Sequence, residues 1–196
     1  MDIKKSIESV ATKRIRTAAK SDAIYDGAKE AREAEWSAAD AKDDKAFEKI
    51  KKDCLTSVDG GEKAVKPWEN EMGDWDAGIK SLENEIAAEK EKIAQQQREV
   101  AAVTKAIDEI NADVKAYNDS LILGEHDPRA RPLIAMRNTD AKLESALNAL
   151  SEATALVQNE RSAWTNQKGW VAKPIGELKE IRGRMSKAKF SKNGKK

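Results

Sequence analysis

The stretch that decides the fold is VKPWENEMGDWDAGIKSLENEIAAEKEKIAQQQREVAAVTKAIDEINADVKAYNDSL, residues 65–121. Read in steps of seven, its first core position is apolar nine times in succession: Val65, Met72, Ile79, Ile86, Ile93, Val100, Ile107, Val114 and Leu121. The second core position is apolar at both ends and polar in the middle: Trp68, Trp75, Leu82, Glu89, Gln96, Val103, Ile110 and Tyr117. A spacing of three and four residues sustained this long predicts a helix that supercoils left-handedly against another helix.

A second heptad series covers residues 133–185. One of its core positions is apolar throughout: Met136, Leu143, Leu150, Val157, Trp164, Val171, Leu178 and Met185. The other is mixed: Leu133, Asp140, Leu147, Thr154, Arg161, Lys168, Ile175 and Arg182. The second series therefore predicts a long helix of its own, able to pack against the first. Pro174 lies inside this series and predicts a kink or an interruption.

The segment between the two series, GEHDPRARP at residues 124–132, carries the signals of a turn. Gly124 can end the first helix, and Asp127 followed by Pro128 can begin the second. Two helices joined by so short a loop fold back on each other. The pattern thus predicts an antiparallel coiled-coil hairpin over residues 62–182 with its turn at 124–132.

At the end of the hairpin away from its turn, Pro67, Gly73 and Gly78 of the first helix oppose Gly169, Pro174 and Gly176 of the second, among four tryptophans: Trp68, Trp75, Trp164 and Trp170. We expect a tryptophan-lined, locally broken region there, which is more often a packing arrangement than a ligand site.

The polar residues within the predicted seam suggest its register. One register pairs Glu89 with Lys168 and Gln96 with Arg161, whereas a register one heptad away places apolar core residues against charged ones. We therefore predict the first register and assign these four residues to a register-setting polar layer. A second interpretation, that they reach solvent from a thin seam, is left open.

The N-terminal part, residues 1–58, also has a helical pattern, with small residues, chiefly alanine, in its middle. Gly60 and Gly61 then indicate a turn into the hairpin. Because a two-helix hairpin leaves much of its seam uncovered, this segment is expected to pack along or beside it. The fold class predicted is all-α: a long antiparallel coiled-coil helical hairpin with an additional N-terminal helical segment.

The composition and the few reactive side chains argue against an enzyme. Lys and Arg number 36 and Asp and Glu 35, so the net charge is +1, and 36% of the residues are charged. The single histidine, His126, and the single cysteine, Cys54, lie on segments with no reason to meet, and no zinc, di-iron, calcium or phosphate-loop motif occurs. We predict no catalytic residue, no metal site and no cofactor.

Two segments stand out as places where a partner could bind. The first is the predicted tip of the hairpin, which is richer in apolar residues than a loop requires and also carries one histidine and two arginines. Its candidate residues are Leu121, Leu123, His126, Arg129, Arg131, Leu133 and Ile134. The second is a basic tail, residues 183–196 with the preceding Arg182, which holds no acidic residue: Arg182, Arg184, Lys187, Lys189, Phe190, Lys192, Lys195 and Lys196. Such a tail can bind a phosphate backbone or an acidic groove of a protein.

These features predict a structural or adaptor protein of a larger assembly, of the virion, scaffolding or secretion-accessory type, whose coiled-coil arm docks partner proteins. An alternative is a nucleic-acid-binding helical hairpin that uses the basic tail, and a further one is a receptor-recognition arm of a colicin-like kind. A homo-oligomer is left open. Without a signal peptide or an apolar run long enough to span a membrane, a cytoplasmic or virion location and no membrane partner are expected.

Overall fold

The chain folds into three α-helices. The computed structural model describes residues 3–117 and 131–191, and no strand occurs within these ranges. The helices are α1 (Ile3–Ala39), α2 (Asp44–Tyr117) and α3 (Arg131–Lys187). The predicted all-α class is confirmed. Most of the predicted turn at 124–132 lies outside the described residues.

Contacts divide the chain into two compact units. The bundle unit comprises Met1–Lys80 and Gln158–Lys196, and the two-helix unit comprises Ser81–Val157. Helices α2 and α3 contribute to both units, whereas α1 belongs to the bundle unit alone.

Within the bundle unit, α1 packs antiparallel to α2. The thiol of Cys54 in α2 donates a hydrogen bond to the carbonyl oxygen of Ala31 in α1 at 3.2 Å. Further along α2, Gly78 faces Val10 near the start of α1. Later residues of one helix thus meet earlier residues of the other, and the expected packing of the N-terminal segment is found in this unit.

The same unit places α1 parallel to α3. Arg14 pairs with Glu160 at 2.7 Å, and Arg32 donates from Nη2 to Glu177 at 3.1 Å. The three helices enclose one core, made of residues that are at most 7% exposed: Val10, Ile24, Ala28, Ala31, Ala38, Phe47, Cys54, Val58, Trp68, Met72, Trp75, Ile79, Val171, Leu178, Ile181 and Met185.

The turn between the first two helices lies at residues 40–43, and the predicted turn at Gly60 and Gly61 is wrong. A carboxylate oxygen of Asp43 accepts a hydrogen bond from the backbone N–H of Ala46 at 2.8 Å, which caps the start of α2. The chain continues as helix through both glycines. The turn was predicted from a pair of glycines. Glycine is favoured in a turn, but it is equally favoured where two helices pack closely together.

That contact explains Gly61. A Cβ atom added to Gly61 would lie 2.8 Å from Cδ1 of Leu178, and one added to Gly27 would lie 2.7 Å from the Cα of Gly61. Real Cβ atoms do not approach other atoms this closely. Glycine at both positions therefore allows α1 and α3 to pack tightly against α2 at this level of the bundle.

In the bundle unit, α2 and α3 are antiparallel, but their register differs from the predicted one. The indole Nε1 of Trp164 donates to the carbonyl oxygen of Met72 at 3.0 Å, and Arg161 pairs with Asp76. The predicted partner of Arg161 was Gln96, about three heptads further along α2. A heptad pattern repeats after each seven residues, so shifts by whole heptads keep core positions facing core positions, and matching of polar layers selected the wrong shift.

Both long helices continue through a proline: Pro67 in α2 and Pro174 in α3. Of the kink or interruption predicted at Pro174, the interruption is therefore wrong, and the kink stays a prediction. A proline inside a helix costs about 3 kcal/mol through the missing hydrogen bond and a steric clash. Val171 and Leu178, on either side of Pro174, are fully buried in the bundle, and this burial offsets the cost.

Among the described residues of the two-helix unit, the buried side chains form one seam. Its buried residues come from both helices: Leu82, Ile86, Ile93, Leu143, Leu150, Ala153 and Val157. Val103 and Ile110, predicted at the second core position, are 47% and 61% exposed. Because α1 does not belong to this unit, two helices alone cover one side of each other and leave the flanking apolar positions open.

Candidate functional site

An open groove lies between α2 and α3 on one face of the bundle unit. It has a cavity volume of about 520 Å³, within the range of binding sites in proteins. Its lining comes from these two helices: Trp68, Glu69, Met72, Gly73 and Asp76 from α2, and Trp164, Lys168, Ala172, Ile175, Gly176 and Lys179 from α3. The groove therefore depends on which residues of α2 lie opposite which residues of α3.

The apolar side chains of the groove include a tryptophan with an unused hydrogen-bond donor. Trp68 is 6% exposed, and its buried Nε1 meets no acceptor among the described residues. A buried donor without a partner costs about 1–3 kcal/mol. The neighbouring Trp164 differs, since its Nε1 donates to the carbonyl oxygen of Met72. The groove thus offers an apolar surface, and the buried donor of Trp68 beneath it is not used within the described part of the chain.

Two glycines, Gly73 in α2 and Gly176 in α3, open the lining. A Cβ atom added to either glycine would have no atom within 4 Å. Glycine inside a helix is less stable than alanine by about 1 kcal/mol. Unlike Gly27 and Gly61, these two glycines are not required by the packing of the chain itself, and they leave room for an incoming group.

The carboxylates of the groove are already paired within the chain. Asp76 accepts from Lys80 at 2.7 Å and pairs with Arg161. Hydrogen bonds, first from Lys80 and then from Arg161, hold the pKa of Asp76 below its ordinary value. Glu69 lies 4.0 Å from Lys66.

The lysines of the groove are not paired with carboxylates. The Nζ atom of Lys168 lies 5.2 Å from the ring centroid of Trp164, a cation–π contact. No described carboxylate lies within ion-pair distance of Lys168 or Lys179. The groove therefore presents two available positive charges, both from α3.

A buried carboxylate holds the three helices together near the groove. Glu160 in α3 is 8% exposed. Its two oxygens accept from Arg14 in α1 at 2.7 Å and from Nε1 of Trp75 in α2 at 3.2 Å. Charge-assisted bonds of this kind are roughly twice as strong as neutral ones. Glu160 therefore helps to fix the relative positions of the helices that form the groove.

The predicted partner-binding tip lies outside the part of the chain whose side chains are described. This applies to Leu121, Leu123, His126 and Arg129, and also to Arg131, Leu133 and Ile134, whose backbone begins α3. The role of the tip stays a prediction.

The predicted basic tail begins within α3 rather than after it, because the helix extends to Lys187. Arg182 pairs with Glu62 at 2.7 Å and with Asp59, and Arg184 pairs with Glu35 at 2.6 Å.

Beyond the helix end, the tail still contacts α2. The ring of Phe190 lies 6.1 Å from that of Phe47, and Lys51 donates to the carbonyl oxygen of Ala188 at 2.8 Å. Lys187 and Lys189 are exposed, and Lys192, Lys195 and Lys196 lie outside the described residues. Two arginines and the one aromatic residue of the predicted tail are thus engaged within the chain.

The predicted polar layer is not assembled as a set in the seam. Gln96 and Lys168 are exposed, and Glu89 pairs with Lys92 at 3.1 Å on its own helix. Arg161 pairs instead with Asp76. The interpretation that such side chains reach solvent fits Gln96 and Lys168.

The groove was not among the predicted sites. The sequence pattern indicates a tryptophan-rich region where Pro67, Gly73 and Gly78 of one helix oppose Gly169, Pro174 and Gly176 of the other. It predicts a packing arrangement there rather than a binding site. The available signal was the coincidence of tryptophans with glycines in helices, where glycine is costly. Which glycines face open space could not be known without the register.

Within residues 3–117 and 131–191, no group of three or more histidine, cysteine or acidic residues could hold a metal ion. No helix in the same ranges is long and apolar enough to cross a membrane. Comparison of the chain with protein-family models, with curated proteins and with solved structures found no match.

Proposed function

We propose that this chain is a non-enzymatic adaptor or scaffold protein of a larger assembly, and that its bundle unit binds an α-helix of a partner protein in the groove between α2 and α3. The observation that carries the proposal is the open, largely apolar groove between α2 and α3, with the part-exposed Trp164 in its lining. Tryptophan is among the residues that contribute most to protein–protein binding energy.

The shape of the groove favours a helix as the bound element. It lies between two antiparallel helices, and helix-in-groove recognition uses such apolar channels. Along α3 its lining extends from Trp164 to Lys179, which at about 1.5 Å per residue is roughly 22 Å. A small molecule is usually enclosed over most of its surface, whereas this groove is more open than enclosed.

The reactive side chains give no support to catalysis in the described part of the chain. Cys54 is fully buried, and its thiol donates to a backbone carbonyl. Burial, and then the charge of Glu35, raise the pKa of this thiol, so the nucleophilic thiolate is disfavoured.

The proposal is tested by affinity capture from a lysate of the source cells, with and without nuclease. The wild-type chain is compared with Gly176→Leu, which fills the groove, and with the matched control Gly169→Leu. Gly169 has the same open space around it but does not line the groove. We expect a stoichiometric protein partner that survives nuclease, is retained by the control and is lost with Gly176→Leu.

Two results would contradict the proposal. Equal retention of the partner by both leucine variants would place its binding site elsewhere, for example at the predicted tip. Capture of mainly nucleic acid, or loss of the protein partner on nuclease digestion, would favour the nucleic-acid alternative. A helical content equal to that of the wild type in both variants excludes misfolding as the cause.

A further inference from the structure

The charges around the groove indicate the chemistry of the helix that it binds, an inference that rests on the proposed function. The two lining carboxylates already contact cations of this chain: Asp76 contacts Lys80 and Arg161, and Glu69 contacts Lys66. A basic partner would have to compete with these cations. An acidic partner would meet Lys168 and Lys179, which have no carboxylate partner among the described residues.

The two lysines also define a geometry. Lys168 and Lys179 lie eleven residues apart on the continuous helix α3. Eleven residues are three helical turns, so the two side chains lie on nearly the same face, about 16 Å apart along the axis. The contact of Lys168 with the ring of Trp164 holds its ammonium group at the wall of the groove. The lysines thus form a positively charged edge beside the apolar lining.

Two glycines of the lining suit the approach of a helix backbone. Gly73 and Gly176 leave open space on α2 and α3, where an incoming helix can come close without meeting a side chain.

We infer that the groove binds an acidic amphipathic helix of a partner protein. Its apolar face contacts Trp164, Ala172 and Ile175, the more accessible apolar residues of the lining, and two carboxylates three turns apart face Lys168 and Lys179. Pairs at the rim chiefly set specificity and association rate, whereas the apolar contacts supply most of the affinity.

The test uses a displayed library of amphipathic helices of about 15 residues, the length that spans the groove. The apolar positions are fixed, and the flanking positions vary among Glu, Gln and Lys. The library is selected on the full-length chain, and binders are kept when they bind Gly169→Leu but not Gly176→Leu. We expect enrichment of Glu at two positions ten to twelve residues apart, close to the three-turn spacing of the lysines.

The selected peptide is then measured against charge variants of the full chain. The double variant Lys168→Glu/Lys179→Glu should weaken its binding by about tenfold or more. The control Lys173→Glu, an exposed lysine of α3 outside the groove, should change it by about twofold or less. A peptide with Lys in place of the enriched Glu should prefer the double variant.

The outcomes separate this inference from the proposed function. Groove-dependent binders enriched in Gln or Lys, or unaffected by the double charge reversal, overturn the acidic partner while leaving helix binding in the groove intact. Groove-dependent binding of a single-stranded oligonucleotide in place of the peptides also overturns it. If no peptide depends on Gly176, the inference fails, and the capture experiment with Gly176→Leu decides the proposed function on its own.

Discussion

The close contact of α1 with α2 leads us to predict that replacing a glycine by alanine lowers or raises the free energy of unfolding depending on where the glycine lies. Gly27 and Gly60 both lie in helices, but a Cβ atom on Gly27 would lie 2.7 Å from the Cα and 2.9 Å from the N of Gly61. A Cβ atom on Gly60 would have no atom within 4 Å. The variants Gly27→Ala and Gly60→Ala therefore make the same chemical change in opposite environments.

The magnitudes follow from two opposing effects. Alanine in place of a helical glycine gains about 1 kcal/mol. The atoms facing Gly27 belong to the backbone of α2 and cannot rotate away, so the cost of overpacking lies near the upper end of its range, about 3 kcal/mol. Gly27→Ala should then lower the free energy of unfolding by about 2 kcal/mol, and Gly60→Ala should raise it by about 1 kcal/mol.

Urea unfolding followed by tryptophan fluorescence measures both effects. All five tryptophans of the chain lie in the bundle unit, so the signal reports on the unfolding of the unit that contains both glycines. A Gly27→Ala variant as stable as the wild type would refute the close contact of α1 with α2. A destabilised Gly60→Ala variant would instead indicate that the helix does not continue through Gly60, and would restore the turn that the sequence suggested.

Three further predictions concern single side chains of the bundle unit. Glu160→Ala should lower the free energy of unfolding by about 2–3 kcal/mol, since it leaves the buried indole N–H of Trp75 without an acceptor; a loss within error of zero in urea unfolding would contradict it. Hydrogen bonds from Lys80 and Arg161 lower the pKa of Asp76. The contribution of the Asp76 carboxylate to the free energy of unfolding is therefore complete above the ordinary carboxyl pKa and is lost as the pH falls through the lowered value. The stability difference between wild type and Asp76→Asn should accordingly be largest near pH 7 and shrink below about pH 4, and a difference that grows in acid would show the sign to be wrong. Burial raises the pKa of the Cys54 thiol, so a thiol reagent at pH 8 should react far more slowly with the folded chain than with the chain in denaturant; equal rates would mean that the thiol is accessible.

Part of the candidate site was predictable. The tryptophans, glycines and prolines of the region were recognised as a distinct stretch, and Trp68 and Trp75 were placed at core positions, where both are buried. The open space beside Gly73 and Gly176 was not predictable, because it depends on which residues of α3 lie opposite α2.

The helical class and most of the core positions follow from the sequence alone. Met72, Ile79, Ile86 and Ile93 are all buried as the heptads require, because the side of a helix on which a residue lies depends on local geometry alone. The start of α2 was missed, since Asp43 caps it in a stretch without glycine or proline.

The register, the role of Gly61 and the groove depend on contacts between the packed helices. A seven-residue repeat is unchanged by a shift of seven, so several registers bring core positions of the two helices together. The register found in the bundle unit is the one in which Asp76 pairs with Arg161 and Gly61 faces Leu178. Those contacts join residues far apart in the chain, and their energies arise only once the helices are packed together.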